Sequence, residues 1–292
     1  MQKGKVYSKR CNGAPLSSRI FSVRKGSKFL FVSSSKTKKP ASEIIKIVQE
    51  VASSRGCELV IHAGWSFGKR CKANRKILET MRNAVMKPPI KTYVAEFGGH
   101  YYIAESQNGT TKVRKCTSQC FWNSSQKQKN LVQRFLSKVE IVSPSRIASK
   151  GEYPCFLLIC GENNIFNKSN RGGDKYIIPE SLSEGFLNGL KRIQDRKWII
   201  FNPSHAPYKG KKLPQRVMDY HRASSSDSSV HRVFTGNNPS QRKPKAYLNR
   251  ALQWQNRHPK ELKLLKEGQA SHFFIHLGKI QYRGISYNSL SS

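Results

Sequence analysis

Apolar residues recur along this chain in two rhythms, and each change of rhythm marks an element boundary. Residues 28–33 in KFLFVSSSKTKK form a short apolar run that closes into polar and basic residues, as a strand followed by a loop does. ASEIIKIVQEVASSR then sets Ile44, Ile45, Val48 and Val51 at helical spacing, with Ser42 placed to act as N-cap. Gly56 ends that helix, and CELVIHAGW reads as a buried strand over 58–62 that runs into a glycine loop. Helical spacing returns through Ile77, Leu78, Met81 and Val85 over 71–86, and Pro88 and Pro89 stop it.

From residue 90 the period shortens. IKTYVAEF and HYYIAES read as strands joined at Gly98 and Gly99, and Asn108-Gly109 is a hairpin turn leading into TTKVRKC, so three strands form a meander. Residues 123–138 are amphipathic through Leu131, Val132, Phe135 and Leu136. Residues 179–196 read as another helix. Residues 209–246 are basic and Ser-rich and read as a long excursion. Helical spacing resumes over 245–266, broken at Pro259, and a last strand pair, SHFFIHLG and KIQYRGISY, turns at Gly278. The expectation is a basic arm over 1–27, then one α/β domain over 28–292 that contains the excursion.

Two stretches stand apart. FLLICGENNIF, at 156–166, and WIIFNPSHAPY, at 198–208, each begin as a buried apolar run and break abruptly into small and polar residues. If the two strands lie side by side, Cys160, Glu162, Asn202 and His205 are delivered to one sheet edge, where α/β proteins keep their chemistry. A thiol there can act as a nucleophile and an imidazole as its base. A Cys ending an apolar strand also serves as a small core residue, and a loop His as a hydrogen-bonding group. Trp65, Phe166 and Trp198 are the aromatics placed to wall a pocket.

Charge widens the choice. The 292 residues carry 53 Lys and Arg against 17 Asp and Glu, a net +36, with 30 of the cations in the first 150 positions. Such an excess favours polyanionic partners, nucleic acid among them, yet it defines no single tail or recognition helix. Seven scattered cysteines, an odd number, fit a reducing compartment and no disulfide framework. Cys116 and Cys120 lack a second Cys or His pair at zinc-site distance, so no metal is expected. Without a long apolar segment, and with the start MQKGKVYSKR, the chain reads as soluble and cytoplasmic.

The order of elements, with a strand ending in Cys160 and another ending in NPSH, resembles the nitrilase superfamily of carbon-nitrogen hydrolases over about 28–208. The resemblance implies an α-β-β-α sandwich, no cofactor, and a Glu, Lys and Cys triad acting on an amide or nitrile. Cys160, followed by Gly161 and Glu162, stands where that family has its nucleophile. Lys115, after the turn in NGTTKVRK, stands where it has the lysine that stabilises the oxyanion. The family's general-base Glu would follow LVIHAGW, where this chain has His62, Ala63, Gly64 and Trp65. Either another base is recruited, His62 or His205, or the hydrolase chemistry is lost. Three functions therefore stand open: a divergent thiol hydrolase taking a small amide or nitrile, a degenerate hydrolase scaffold, and a basic nucleic-acid binder. Homo-oligomers fit the resemblance as well.

Overall fold

The computed structural model describes residues 14–34, 39–107, 109–122, 126–142, 148–166, 179–205, 230–237, 263–265, 273–281 and 284–286. The chain divides into two compact units. The first comprises residues 1–22, 116–203 and 208–235, and the second 23–115, 204–207 and 236–292. The expectation was a single domain after an arm.

In chain order the elements are β1 (Ile20–Arg24), β2 (Lys28–Ser34), α1 (Ala41–Ser54), β3 (Cys57–His62), α2 (Arg75–Met86), β4 (Thr92–Phe97), β5 (His100–Gln107) and β6 (Thr110–Lys115). There follow α3 (Lys129–Glu140), β7 (Glu152–Leu157), α4 (Pro179–Ile193), β8 (Trp198–Ser204), β9 (Val230–Asn237), β10 (Lys263–Leu265), β11 (Phe273–Gln281) and β12 (Gly284–Ser286). The fold is mixed α/β.

One sheet has four strands in the order β1-β7-β8-β9, with β7 and β8 parallel. The other has eight strands, β10-β11-β2-β3-β4-β5-β6 with β12 on β11; β2, β3 and β4 run parallel to one another and β4, β5 and β6 form the antiparallel meander. In the second unit α1 and α2 lay Ile44, Ile45, Val48 and Met81 on one sheet face, against Val60, Tyr93 and Ala104. In the first, α3 and α4 bring Val132, Phe135, Phe186 and Leu190 onto Phe156, Trp198 and Ile200. The opposite sheet faces are buried too, through Phe31, Ile61 and Val94 in one sheet and Cys155, Leu157 and Phe201 in the other. That is why these strands read as continuous apolar runs and not as alternation. Each unit is thus one helix layer on one sheet layer, the pair of components an α-β-β-α order calls for.

Several expectations are corrected. Part of the presumed arm is structured: residues 16–19 make a 3-10 turn and β1 joins the four-stranded sheet. Pro40, not Ser42, caps α1, because its fixed φ of -56° already suits a helix start. The second helix begins at Arg75, where Asn74 Oδ1 accepts from Ile77 N and sets the boundary. Residues 263–265, expected to be helical, pair instead as β10 with β11. Gly278 is not a turn; it lies inside β11 opposite Phe29, and the chain reverses between Gln281 and Gly284. Most of the expected excursion and Asn108 lie outside the described residues. No helix among the described residues is long and apolar enough to cross a membrane.

Candidate active site

In the first unit, β7 and β8 lie side by side and parallel, with Cys155, Phe156 and Leu157 opposite Ile199, Ile200 and Phe201. Parallel strands leave a sheet at the same edge. The chain continues from β7 through Leu158 and Ile159 to Cys160, which opens a 3-10 turn over Cys160–Phe166. Cys160 has φ 44°, left-handed backbone that a residue with a Cβ adopts only under constraint.

The constraints are explicit. Asn202 Nδ2, fully buried on β8, donates to the carbonyls of Leu158 (2.5 Å) and Cys160 (3.1 Å). Asn164 Nδ2 donates to the carbonyls of Gly161 (2.7 Å) and Trp122 (3.1 Å). At Gly161 a Cβ would come within 2.1 Å of the Trp122 carbonyl oxygen, so the approach of the two backbones requires glycine.

Below the turn, Glu162 is fully buried and accepts from four donors: Arg19 Nη1 (2.6 Å), Arg19 Nη2 (3.1 Å), Cys120 N (2.5 Å) and Ile159 N (2.8 Å). Arg19 is equally buried and also donates to the Ser118 carbonyl at 2.6 Å. Its guanidinium lies over the Phe135 ring, 5.8 Å from the centroid. Burial works to lower the Arg19 pKa, but the charge and hydrogen bonds of Glu162 outweigh it and hold the pKa above the ordinary value. Glu162 is therefore the anchor of the Cys160 turn, with its lone pairs committed to the scaffold.

The second unit holds the imidazole. His205, one residue beyond β8, places Nε2 2.8 Å from Glu96 Oε1, and Glu96 Oε2 accepts from the Trp65 backbone N–H at 2.8 Å. Trp65 is the other residue with a side chain held at positive φ, 59°, and its ring centroid lies 4.7 Å from that of His205. Lys69 Nζ sits 5.5 Å from the same indole. Gly64 N donates to the Ser204 carbonyl, and a Cβ at Gly64 would lie 2.4 Å from His205 Cδ2.

His62 is elsewhere: fully buried on the helix-covered face, with Nε2 2.7 Å from the Tyr93 hydroxyl and its ring 4.7 Å from Phe67. Burial pushes its pKa down to about 3, so it is a neutral core histidine at ordinary pH. Lys115 is the exposed last residue of β6. Its register opposite Tyr102 puts it on the face of Ala104 and Val113, whereas Glu96 pairs with Tyr101 on the other face. Phe166 closes the 3-10 turn, and its side chain lies outside the described residues. Trp65 is half-buried.

Arg19 and Glu96 carry no sequence signal of function. Arg19 is one of 53 cations in a segment read as an arm, and Glu96 sits in TYVAEF, where it passes for the polar side of a strand. Among the described residues, no group of three or more His, Cys, Asp or Glu could hold a metal ion.

Solved structures similar to this chain include an amidase from Nesterenkonia sp., 11% identical over 75% of this chain and 79% of that one, with a TM-score of 0.41. A Cys-to-Ala mutant of the Nesterenkonia AN1 amidase, from the nitrilase superfamily, is 9% identical over 74% and 78%, at 0.43. A Cys-to-Ala mutant in complex with butyramide is 10% identical over 74% and 77%, at 0.41. No family model and no curated protein matches the chain.

Proposed function

We propose that this chain hydrolyses a carbon-nitrogen bond of a small amide with Cys160 as the nucleophile. The observation that carries this reading is the Cys160 backbone: a thiol held left-handed at φ 44° where a buried parallel strand gives way to a short helical turn. A residue in that conformation costs about 1–3 kcal/mol, and such strain persists where the surroundings impose it, most often to present a reactive side chain. Asn202, Asn164 and the Arg19–Glu162 pair are the surroundings that impose it here.

In this reading the Cys160 sulfur attacks the carbonyl carbon, a carbon-sulfur bond forms, and the carbon-nitrogen bond breaks as the departing nitrogen gains a proton. Water then cleaves the thioester, giving the acid and returning the thiol. Substrate, water, acid and amine balance without a cofactor. Lys115, assigned to the oxyanion by resemblance, remains part of the proposal and is separately testable by Lys115→Ala.

Iodoacetamide alkylation followed peptide by peptide tests the nucleophile. Cys57 supplies the contrast, since burial pushes its thiol up to about 12 despite the opposing charges of Lys28 and Arg55, and burial also raises Cys71. Cys160 should label far faster than either at neutral pH, and Cys160→Ser should abolish release of ammonia from short aliphatic amides. Labelling of Cys160 no faster than of Cys57 would overturn the assignment.

A second reading, polyanion binding, is favoured by where the carboxylates go. Glu58, Glu96, Glu105 and Glu162 are each spent on partners inside their own unit, which leaves the large cation excess facing outward.

A further inference from the structure

We propose that His205 and Glu96 form the proton-transfer dyad of this protein, with His205 the atom-exchanging base and Glu96 the residue that positions it. The reaction it serves rests on the thiol reading above; the pairing rests on geometry of its own.

Glu96 lies in β4, where all six residues are buried, and its side chain is 1% exposed. A carboxylate in such a strand is costly unless both oxygens are served. They are: Oε1 faces His205 Nε2 at 2.8 Å and Oε2 takes the Trp65 N–H at 2.8 Å. The second of these comes from backbone held at positive φ, 59°. Gly64 completes the seat, because any side chain there would collide with the imidazole, and the Trp65 ring lies over it at 34°. Strained backbone, an obligatory glycine, a ring contact and a buried charge thus all fix one imidazole in one orientation.

A carboxylate on Nε2 selects the Nε2–H tautomer and leaves the basic lone pair on Nδ1, while stabilising the imidazolium once a proton arrives. His62 is the contrast: no carboxylate faces it, its partner is the Tyr93 hydroxyl, and it is fully buried, whereas the His205 side chain keeps 12% exposure. The topology gives His205 its place in the reaction. β8, which precedes it, runs parallel to β7, which precedes Cys160. In turnover His205 takes one proton from the attacking thiol or water and returns it to the departing nitrogen or sulfur, so no net proton is gained.

The test uses the full chain with Glu96→Gln, Glu96→Asp and His205→Gln, and reads the pH profile of Cys160 alkylation by iodoacetamide. Both Glu96→Gln and His205→Gln should slow labelling at neutral pH by about tenfold or more and move the profile to that of an ordinary thiol; Glu96→Asp should recover part. Profiles that superimpose on the unaltered protein overturn the dyad. Nitrogen-15 NMR of the unaltered protein gives a readout that no misfolded variant can blur: His205 must be the Nε2–H tautomer with Nδ1 gaining the proton, and the opposite tautomer overturns the pairing. If Cys160 labels as an ordinary thiol in the unaltered protein, the thiol reading fails, and the tautomer still decides the dyad.

Discussion

Arg19 and Glu162 face each other as a bidentate ion pair, 2.6 and 3.1 Å apart, with neither side chain exposed to solvent. The pair joins the residue before β1 to the turn that carries Cys160, so the conformation of the thiol depends on a charge more than a hundred positions upstream. Two buried charges gain little over two apolar groups, but leaving one without the other is expensive, about 3–5 kcal/mol. Arg19→Met and Glu162→Gln should each lower the denaturant midpoint by that order, and the double variant Arg19→Met/Glu162→Leu should lose less than the two single losses added. Urea unfolding of the four proteins measures the coupling; strict additivity would show that the pair does not act as a unit.

His62 makes stability depend on acid. Its folded pKa lies near 3, below the ordinary 6.5, because burial disfavours the imidazolium. The unfolded chain therefore binds the proton first, and the stabilisation is complete above pH 6.5 and lost as pH falls toward 3. The slope approaches about 1.4 kcal/mol per pH unit within that window. His62→Gln keeps a group able to bond the Tyr93 hydroxyl but removes the titration. Its unfolding free energy should be flatter between those limits, and equal slopes for both proteins would contradict the assignment.

The outward charge predicts salt-sensitive binding to polyanions. Because the described carboxylates are largely paired within their units, surface cations such as Lys69, Arg70 and Lys72 face solvent without a printed acidic partner to offset the total. Retention on heparin or duplex DNA should fall along a steep log-log line with salt, as counterion release demands. A shallow slope, or elution unaffected by salt, would count against a polyanionic partner.

The order of strands and helices was legible because burial leaves plain marks: runs buried on both faces in β3, β7 and β8, and one apolar stripe on each helix. The same marks misled where burial and conformation part company. Gly278 looks like a turn because glycine weakens strands, yet in β11 it is carried by pairing on both sides. Leu262 and Leu265 share a spacing that suits a helix, but tertiary pairing makes residues 263–265 a strand. In the candidate site, Cys160, Asn202 and His205 announced themselves at strand ends. Glu96 and Arg19 did not, since a charge that works by being buried has no pattern until its partner is known.

Close backbone approach makes a sharp prediction at Gly161. An added Cβ would lie 2.1 Å from the Trp122 carbonyl oxygen, and the obstructing atoms are backbone, which cannot rotate away. Gly161→Ala should destabilise the protein by about 1–3 kcal/mol, typical of overpacking, and should also alter labelling of the adjacent thiol. Gly185→Ala is the control, because the nearest atom there is the end of Leu136 at 3.6 Å and φ is unexceptional. It should fold and label as the unaltered protein does, and should gain slightly in stability within its helix. Thermal unfolding with peptide-resolved labelling compares the two.

If Cys160 is strained in the service of chemistry, relieving the strain should stabilise the chain while abolishing the chemistry. Glycine adopts φ 44° without penalty, whereas alanine pays for its Cβ as cysteine does. Both replacements remove the sulfur, so packing loss is nearly common to them, and helix propensity contributes little in a single 3-10 turn. Cys160→Gly should therefore unfold at a higher denaturant midpoint than Cys160→Ala, by about 1 kcal/mol, reversing the usual order in which Ala is the more stabilising of the two. The comparison needs no substrate. Should Ala prove the more stable, the left-handed turn exerts no strain, and the observation on which the thiol reading stands is withdrawn with it.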